Sequence, residues 1–300
     1  MLKIAAIALG LVAATAVQAQ ELTGTLKKIK EANAIALGIR DTSVPFSYLN
    51  DKQQPMGYSM DLCMKVVDAV KAELNMPTLQ VKHIPVISQT RIPLVANGTV
   101  DIECGSTTNN ATRQKDVSFA LTTYVEEVRI AAKTASGITS LAQLNGKNVA
   151  TTTGTTSVQL LRKHERATGI DFKEVFGKDH SESFLLLESG RADAFVMDGQ
   201  ILAGNIATSK SPGDYRIVGE VISVEPIAIM LRKDDPAFKK LADDTIRDMI
   251  KSGDMAKAYD KWFVQPIPPK NTKVGLPASD ATKAAWANPN DKPLEEYAKK

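Results

Sequence analysis

Two similar lobes, each a mixed, mostly parallel β-sheet flanked by helices, form the α/β architecture that this sequence predicts. Three observations carry it. The apolar period switches repeatedly between that of a strand and that of a helix, as it does where the two alternate along a chain. A length of 300 residues suits two compact units better than one, since domains cluster at roughly 100–150 residues. Finally, Leu94-x-x-x-Gly98-x-x-Asp101 followed by Ser106 recurs as Leu186-x-x-x-Gly190-x-x-Asp193 followed by Asp198, at a constant offset of 92. Each copy reads as helix, glycine stop, strand, and then a polar residue at the strand's carboxyl end, where open α/β sheets gather their ligands. Ser106 and Asp198 would then face one shared cleft.

The elements follow in order. Met1–Gln20 carries one charge, Lys3, then an apolar stretch from Ile4 to Val12 and small residues ending Val17-Gln18-Ala19. That is the pattern of a secretory signal peptide cleaved after Ala19, too short in its apolar part to span a bilayer. Ala34–Ile39 is an apolar run fit for a buried strand. Ser59 is placed to cap a helix reaching about Asn75, with Leu62, Cys63, Val66, Val67, Val70 and Leu74 on one stripe. Leu79–Ile84 reads as a strand, and Ser88 as the cap of a short helix ending at Asn97-Gly98, with Pro93 inside it. Val100–Gly105 reads as a strand. The second half repeats the scheme with strands at Lys147–Thr152 and Ala192–Met197 and helices at Thr156–Glu165 and Ser183–Ser189. An apolar strand, Ile227–Leu231, precedes helices at Pro236–Ser252 and Asp254–Phe263. From Gln265 onward little helix or strand is expected. Residues 20–124 plus 225–266 form the expected first lobe, 125–224 the second and 267–300 a C-terminal extension, with crossings near Leu121–Val125 and Val221–Glu225.

Composition excludes several classes. With 37 Lys+Arg against 34 Asp+Glu, a net charge of +3 and no long basic run, there is no electrostatic case for nucleic acid. The chain has no Walker loop, G-x-G-x-x-G or G-x-S-x-G, and His83, His164 and His180 lie far apart with no metal-ligand spacing. No cofactor or metal is expected. Cys63 and Cys104 could form one disulfide in an exported protein. The reading favoured here is two separate buried thiols, one on a helix's apolar face and one inside a strand.

Spacing suggests a few anion-binding positions. Gly154-Thr155-Thr156-Ser157 runs from a strand into a helix N-terminus, whose free N–H groups suit a carboxylate or phosphate. Arg40 ends the first strand, Arg91 sits in a first helical turn and Arg113 follows Ser106-Thr107-Thr108. Arginine at an element end can grip a carboxylate through two parallel hydrogen bonds. Taken singly, each arginine reads as a solvated surface residue, and His180 as an exposed loop residue.

Together the motifs resemble a known family. Gly38-Ile39-Arg40-Asp41, Val44-Pro45-Phe46-Ser47-Tyr48 and Gly57-Tyr58-Ser59-Met60-Asp61-Leu62 are similar to the N-terminal signature of polar amino-acid solute-binding proteins of ABC transporters (family 3). Arg91 to Asp101, Gly105 to Asn110 with Arg113, Gly154 to Ser157, Leu187 to Asp193, Leu231 to Pro236 and Lys261-Trp262-Phe263 continue it. Ser88 to Pro93, Glu103 to Asn110, Lys178-Asp179-His180 and Pro266 to Asn271 resemble the branch that takes acidic amino acids. The resemblance implies a type II periplasmic-binding-protein fold, a periplasmic location, no enzymatic activity, L-glutamate or L-aspartate as ligand, an ABC permease as partner, and a monomer. It further implies that Arg113 and the backbone at Thr155 grip the α-carboxylate, that Ser106, Thr108 and Asp198 receive the α-ammonium, and that Arg40, Ser88, Arg91 and His180 take the side-chain carboxylate. Gly199 departs from the pattern, where a second acidic residue is expected.

On this reading three arginines face one carboxylate in the cleft. A protonated His180 would make affinity fall as pH rises. The rival readings are an exported enzyme on the same fold, of the cyclohexadienyl dehydratase kind, with Glu103, Glu126 or Glu127 as general acid, and an amino-acid sensor module.

Overall fold

The computed structural model describes residues 22–297, and the signal-peptide reading of Met1–Ala19 lies outside them. Ten strands build two sheets: β1 (Ala34–Ile39), β2 (Gln80–Pro85), β3 (Ile102–Glu103), β4 (Val117–Phe119), β5 (Tyr124–Lys133), β6 (Asn148–Thr152), β7 (Lys173–Gly177), β8 (Ala194–Asp198), β9 (Tyr215–Ile227) and β10 (Met230–Arg232). The first sheet has the order β2-β1-β3-β10-β4 and the second β7-β6-β8-β5-β9. In each, the first three strands pair in parallel and the last two pairings are antiparallel, so a single strand, β10 or β5, runs against the other four. The chain leaves the first sheet between Phe119 and Tyr124 and returns to it between Ile227 and Met230.

The internal repeat is a repeat of geometry. Gly98 and Gly190 have φ of 77° and 74°, the left-handed region that glycine enters without a Cβ penalty. Two residues on, Val100 N–H donates to the Leu94 carbonyl and Ala192 N–H to the Leu186 carbonyl, both at 2.9 Å. Asp101 then exchanges two bonds with Ala36, its own N–H donating at 2.9 Å and its carboxylate accepting at 2.8 Å. Asp193 does the same with Asn148, at 2.7 and 2.9 Å. Each aspartate thereby locks the register of one strand beside its lobe's central strand, which aims the next residues at the cleft.

Ten helices accompany the sheets among the described residues: α1 (Gly24–Ala32), α2 (Tyr58–Glu73), α3 (Arg91–Ala96), α4 (Thr156–Thr168), α5 (His180–Glu188), α6 (Gly199–Thr208), α7 (Pro236–Ser252), α8 (Asp254–Tyr259), α9 (Asp280–Ala287) and α10 (Leu294–Tyr297). Two expected caps are reassigned. α2 begins after Gly57, and the Ser59 hydroxyl instead donates to the Gly105 carbonyl at 2.7 Å. α3 starts three residues past Ser88, which puts Pro93 in its first turn, where a missing N–H breaks no helical bond. Val100–Gly105 pairs only over Ile102–Glu103, and Ile227–Leu231 is split between two strands, Ile227 ending β9 opposite Tyr124 and Met230 opening β10. The long strands β5 and β9 escaped the sequence reading because they bury acidic residues, Glu126 and Glu225, where an apolar side chain is expected.

The cysteines are not separate thiols. Cys63 of α2 and Cys104, which follows β3, form a disulfide with Cα atoms 6.0 Å apart. Their expected burial is correct, but α2 packs over the first sheet, so burial itself brings the two sulfurs together.

The C-terminal extension is more ordered than expected. Pro266–Ile267 pairs with Thr272–Lys273, and α9 and α10 follow. Their pattern is too short for periodicity to register, and tertiary bonds hold them. Thr282 receives Val125 N–H at 3.1 Å, Trp286 donates to the Thr123 carbonyl at 2.8 Å, and the Asn290 carbonyl accepts from Thr122 N–H at 2.8 Å. The extension thus lies against the outgoing crossing. No described helix is long and apolar enough to cross a membrane.

Candidate functional site

The carboxyl ends of both sheets supply the site. Arg40 follows β1, Ser88 follows β2, and Arg91 opens α3. Ser106 and Thr108 follow β3, and Arg113 opens a short 3-10 turn. From the second lobe, Thr155 precedes α4, His180 is the first residue of α5 and Asp198 is the last of β8. The structure brings all nine together, and all are buried, from 1% exposed for Arg40 and His180 to 8% for Arg113. The surface reading of the single arginines and the loop reading of His180 are therefore corrected: the facing lobe covers them.

The lobes meet across this layer. Ser43 Oγ and His180 Nδ1 lie 2.9 Å apart, and Arg113 Nη2 donates to the Gly154 carbonyl at 3.3 Å. Gly154 has a φ of 81°, and a Cβ on it would come within 2.8 Å of the Gln89 nitrogen. Glycine is required there twice over, by its backbone angle and by the close approach of the other lobe.

One end of the site is rich in donors. Arg40 Nη2 donates to Ser88 Oγ at 3.1 Å, while its Nη1 has no protein partner. Arg91 reaches only the Ser106 carbonyl, at 3.4 Å, and its Nε is likewise unpartnered. Burial and the neighbouring Arg91 lower the Arg40 pKa to about 10, and burial lowers that of Arg91. Burial, then Arg40 and Arg91, push His180 well below the usual imidazole value. A neutral imidazole carries one N–H, on Nδ1 or Nε2 according to which way the Ser43 bond runs, so His180 can donate without carrying charge.

The other end mixes donors with acceptors. Arg113 Nη1 donates to the Thr108 carbonyl at 2.8 Å, and burial followed by Arg91 lowers its pKa to about 9, still high enough to stay charged at neutral pH. Asp198 Oδ1 and Ser106 Oγ are buried without a partner. Burial, then the Glu225 carboxylate, raise the Asp198 pKa to about 7 against the pull of Arg91, Arg113 and Arg40.

Two acids were missed as site residues. Glu103 and Glu225 are fully buried, each with an unpartnered Oε1, and both act electrostatically on the arginines. The expected picture of three arginines against one carboxylate therefore omits two acids, Glu103 and Glu225, that act on the guanidinium groups alongside Asp198. Uncommitted N–H groups lie on Arg40 and Arg91, with the uncommitted Glu103 oxygen acting on both, and further uncommitted oxygens lie on Ser106, Asp198 and Glu225. In the sequence Glu103 opens the family marker Glu103 to Asn110 and is a rival's general acid, without a role at the ligand. Only its place two residues before Gly105, where a Cβ would overlap its carboxylate, hints at its inward direction. Glu126, another such candidate, accepts from Glu127 N–H and Gly199 N–H, both at 2.7 Å, and burial and Asp198 push its pKa well up. That carboxyl group caps the first N–H of α6, and its Oε1 would lie 3.5 Å from a Cβ on Gly199. Among the described residues no cluster of His, Cys, Asp and Glu could hold a metal ion.

The Pseudomonas aeruginosa protein named L-glutamate/L-aspartate-binding protein is 51% identical over 281 residues, with 93% of each chain covered. An Escherichia coli K12 protein named glutamate/aspartate import solute-binding protein is 49% identical over 270 residues, covering 90% of this chain and 89% of its own. Among solved structures, an arginine-bound ancestral arginine-binding protein matches with a TM-score of 0.69 at 28% identity, over 77% of this chain and 98% of its own. A Neisseria gonorrhoeae solute receptor for L-cysteine matches with a TM-score of 0.70 at 23% identity, over 83% of this chain and 99% of its own, a likeness of fold alone. The fold is that of type II periplasmic binding proteins. Residues 35–265 match the family described as bacterial extracellular solute-binding proteins, family 3, and with that span and those identities the chain belongs to this family.

Proposed function

We propose that this chain is the periplasmic solute-binding component of an ABC importer, taking L-glutamate and L-aspartate between its lobes and handing them to a membrane permease. The observation that carries the reading is the polarity of the buried layer, with unpartnered guanidinium N–H groups at one end and an unpartnered aspartate oxygen at the other. An amino acid with a second carboxylate meets both ends. Its α-carboxylate goes to Arg113 and the backbone at Thr155, its α-ammonium to Ser106, Thr108 and Asp198, and its side-chain carboxylate to Arg40, Ser88, Arg91 and the neutral His180. Buried charges are tolerated only when paired and hydrogen-bonded, so a solute that leaves Arg40 and Arg91 unsatisfied is rejected. The names of the relatives, and their high identity, support the same solutes.

The chain works as a monomeric binding protein and not as an enzyme. Its leader is removed after Ala19. The lobes comprise residues 20–124 with 225–266, and 125–224, with 267–300 as an extension, and they open about the two crossings. Closure around solute is the motion of periplasmic binding proteins generally. A thermal-shift panel of amino acids, followed by calorimetry on the hits, tests the reading. L-glutamate and L-aspartate should stabilise the protein and bind with one site, without turnover. Stabilisation by neutral or basic amino acids alone would overturn it.

A further inference from the structure

Glu225 belongs to none of the groups assigned above. It lies on β9, in register with Glu126 of β5, and is fully buried. One of its oxygens, Oε2, accepts two hydroxyls, from Thr108 at 2.7 Å and from Thr156 at 2.8 Å. A threonine hydroxyl has a single proton. With that one proton engaged in the hydrogen bond to Glu225 Oε2, the Thr108 oxygen can offer only lone pairs to anything in the cleft. Thr108 also holds Arg113 through its carbonyl at 2.8 Å, so its position is fixed from a second side.

We propose that Glu225 is a positioning residue that fixes the Thr108 hydroxyl as a hydrogen-bond acceptor, selecting a solute whose α-substituent is a full donor, an ammonium. An ammonium has only donors and satisfies the Thr108 oxygen together with Asp198 Oδ1. A 2-oxo acid brings a further acceptor, and leaves both oxygens unpaired. The inference rests on the amino-acid reading of the cleft and extends it to a residue outside the ligand shell.

The test is calorimetry of the full chain with L-glutamate, on wild type, Glu225→Met, Thr108→Val and the double variant. Each single change should lower affinity roughly ten- to a hundredfold, the range of one hydrogen bond to a charged group. Because Glu225 acts through Thr108, the double variant should lose much less than the product of the two losses. Losses that simply multiply overturn the proposal.

A pH profile separates positioning from a merely structural role. Asp198 faces Arg40, Arg91, Arg113, Glu225 and Glu126, and the wild type must release its proton to receive the ammonium. Wild-type affinity should therefore begin to fall below about pH 7. Without the Glu225 charge that onset should move to lower pH, by about one unit. Lost affinity with an unmoved onset overturns the proposal. If Glu225→Met does not fold, the wild-type profile still decides, since an onset at the ordinary carboxylate value near 4 removes the Glu225 charge from the ammonium pocket. A wild type that binds neither L-glutamate nor L-aspartate refutes the proposed function instead.

Discussion

Replacing Arg91 with methionine keeps the apolar stem and removes the guanidinium. Its five N–H donors have a single protein acceptor, the Ser106 carbonyl at a long 3.4 Å, and its Nε has none. Nearly all of its bonding capacity is therefore left for the solute. A hydrogen bond between charged partners contributes about 1.5–3 kcal/mol net, so losing one strong or two modest bonds to the side-chain carboxylate costs about 3 kcal/mol. At 1.4 kcal/mol per tenfold, L-glutamate affinity should fall roughly 150-fold. L-glutamine offers a neutral amide oxygen in the same place and should lose about 1 kcal/mol, roughly fivefold. Titration calorimetry with both amino acids measures the ratio, and a thermal melt of the unliganded variant checks that Glu103 tolerates the lost cation. Equal losses for the two amino acids would refute the placement of Arg91 at the side-chain end.

Arg113→Met should abolish binding of every amino acid regardless of side chain, because Arg113 joins Thr108 to Gly154 across the cleft as well as meeting the α-carboxylate; retained L-glutamate binding by thermal shift contradicts this. The pH dependence should have the opposite sign to that of a protonated histidine: with His180 neutral and Asp198 titrating near 7, affinity should rise from pH 6 to 8, and a fall over that range in calorimetry would restore the histidine reading. Reducing the Cys63–Cys104 bridge frees a loop spanning 41 residues, which in the chain-entropy picture is about 4 kcal/mol, or roughly 8–16 °C in Tm. Melting with and without reductant measures it, and a shift of under about 2 °C would mean the bridge hardly constrains the unfolded chain. Trp286→Phe removes the indole N–H from the Thr123 carbonyl and should cost about 1 kcal/mol in urea denaturation, whereas an unchanged midpoint would show that the extension does not brace the crossing.

The sequence by itself determined the local geometry. Glycine stops at 98 and 190, the aspartates three residues later and the helix over Pro236–Ser252 are all written in residue types whose backbone preferences act within a few positions. The two-lobed plan follows, because a repeated local unit repeats its sheet. The family motifs also named nine of the residues that meet in the cleft. Tertiary structure decided what local preference cannot reach. Whether Cys63 meets Cys104 depends on how α2 lies over the first sheet. Whether Arg40 and His180 are buried depends on the lobe opposite, 140 residues away in the case of this pair. Glu225 carries no motif and Glu103 only begins one, and an acid in a strand reads as solvent-facing until its strand is seen buried on both sides. Charge balance in a closed cleft is a sum over groups distant in sequence, and only the folded chain brings them close enough to be counted.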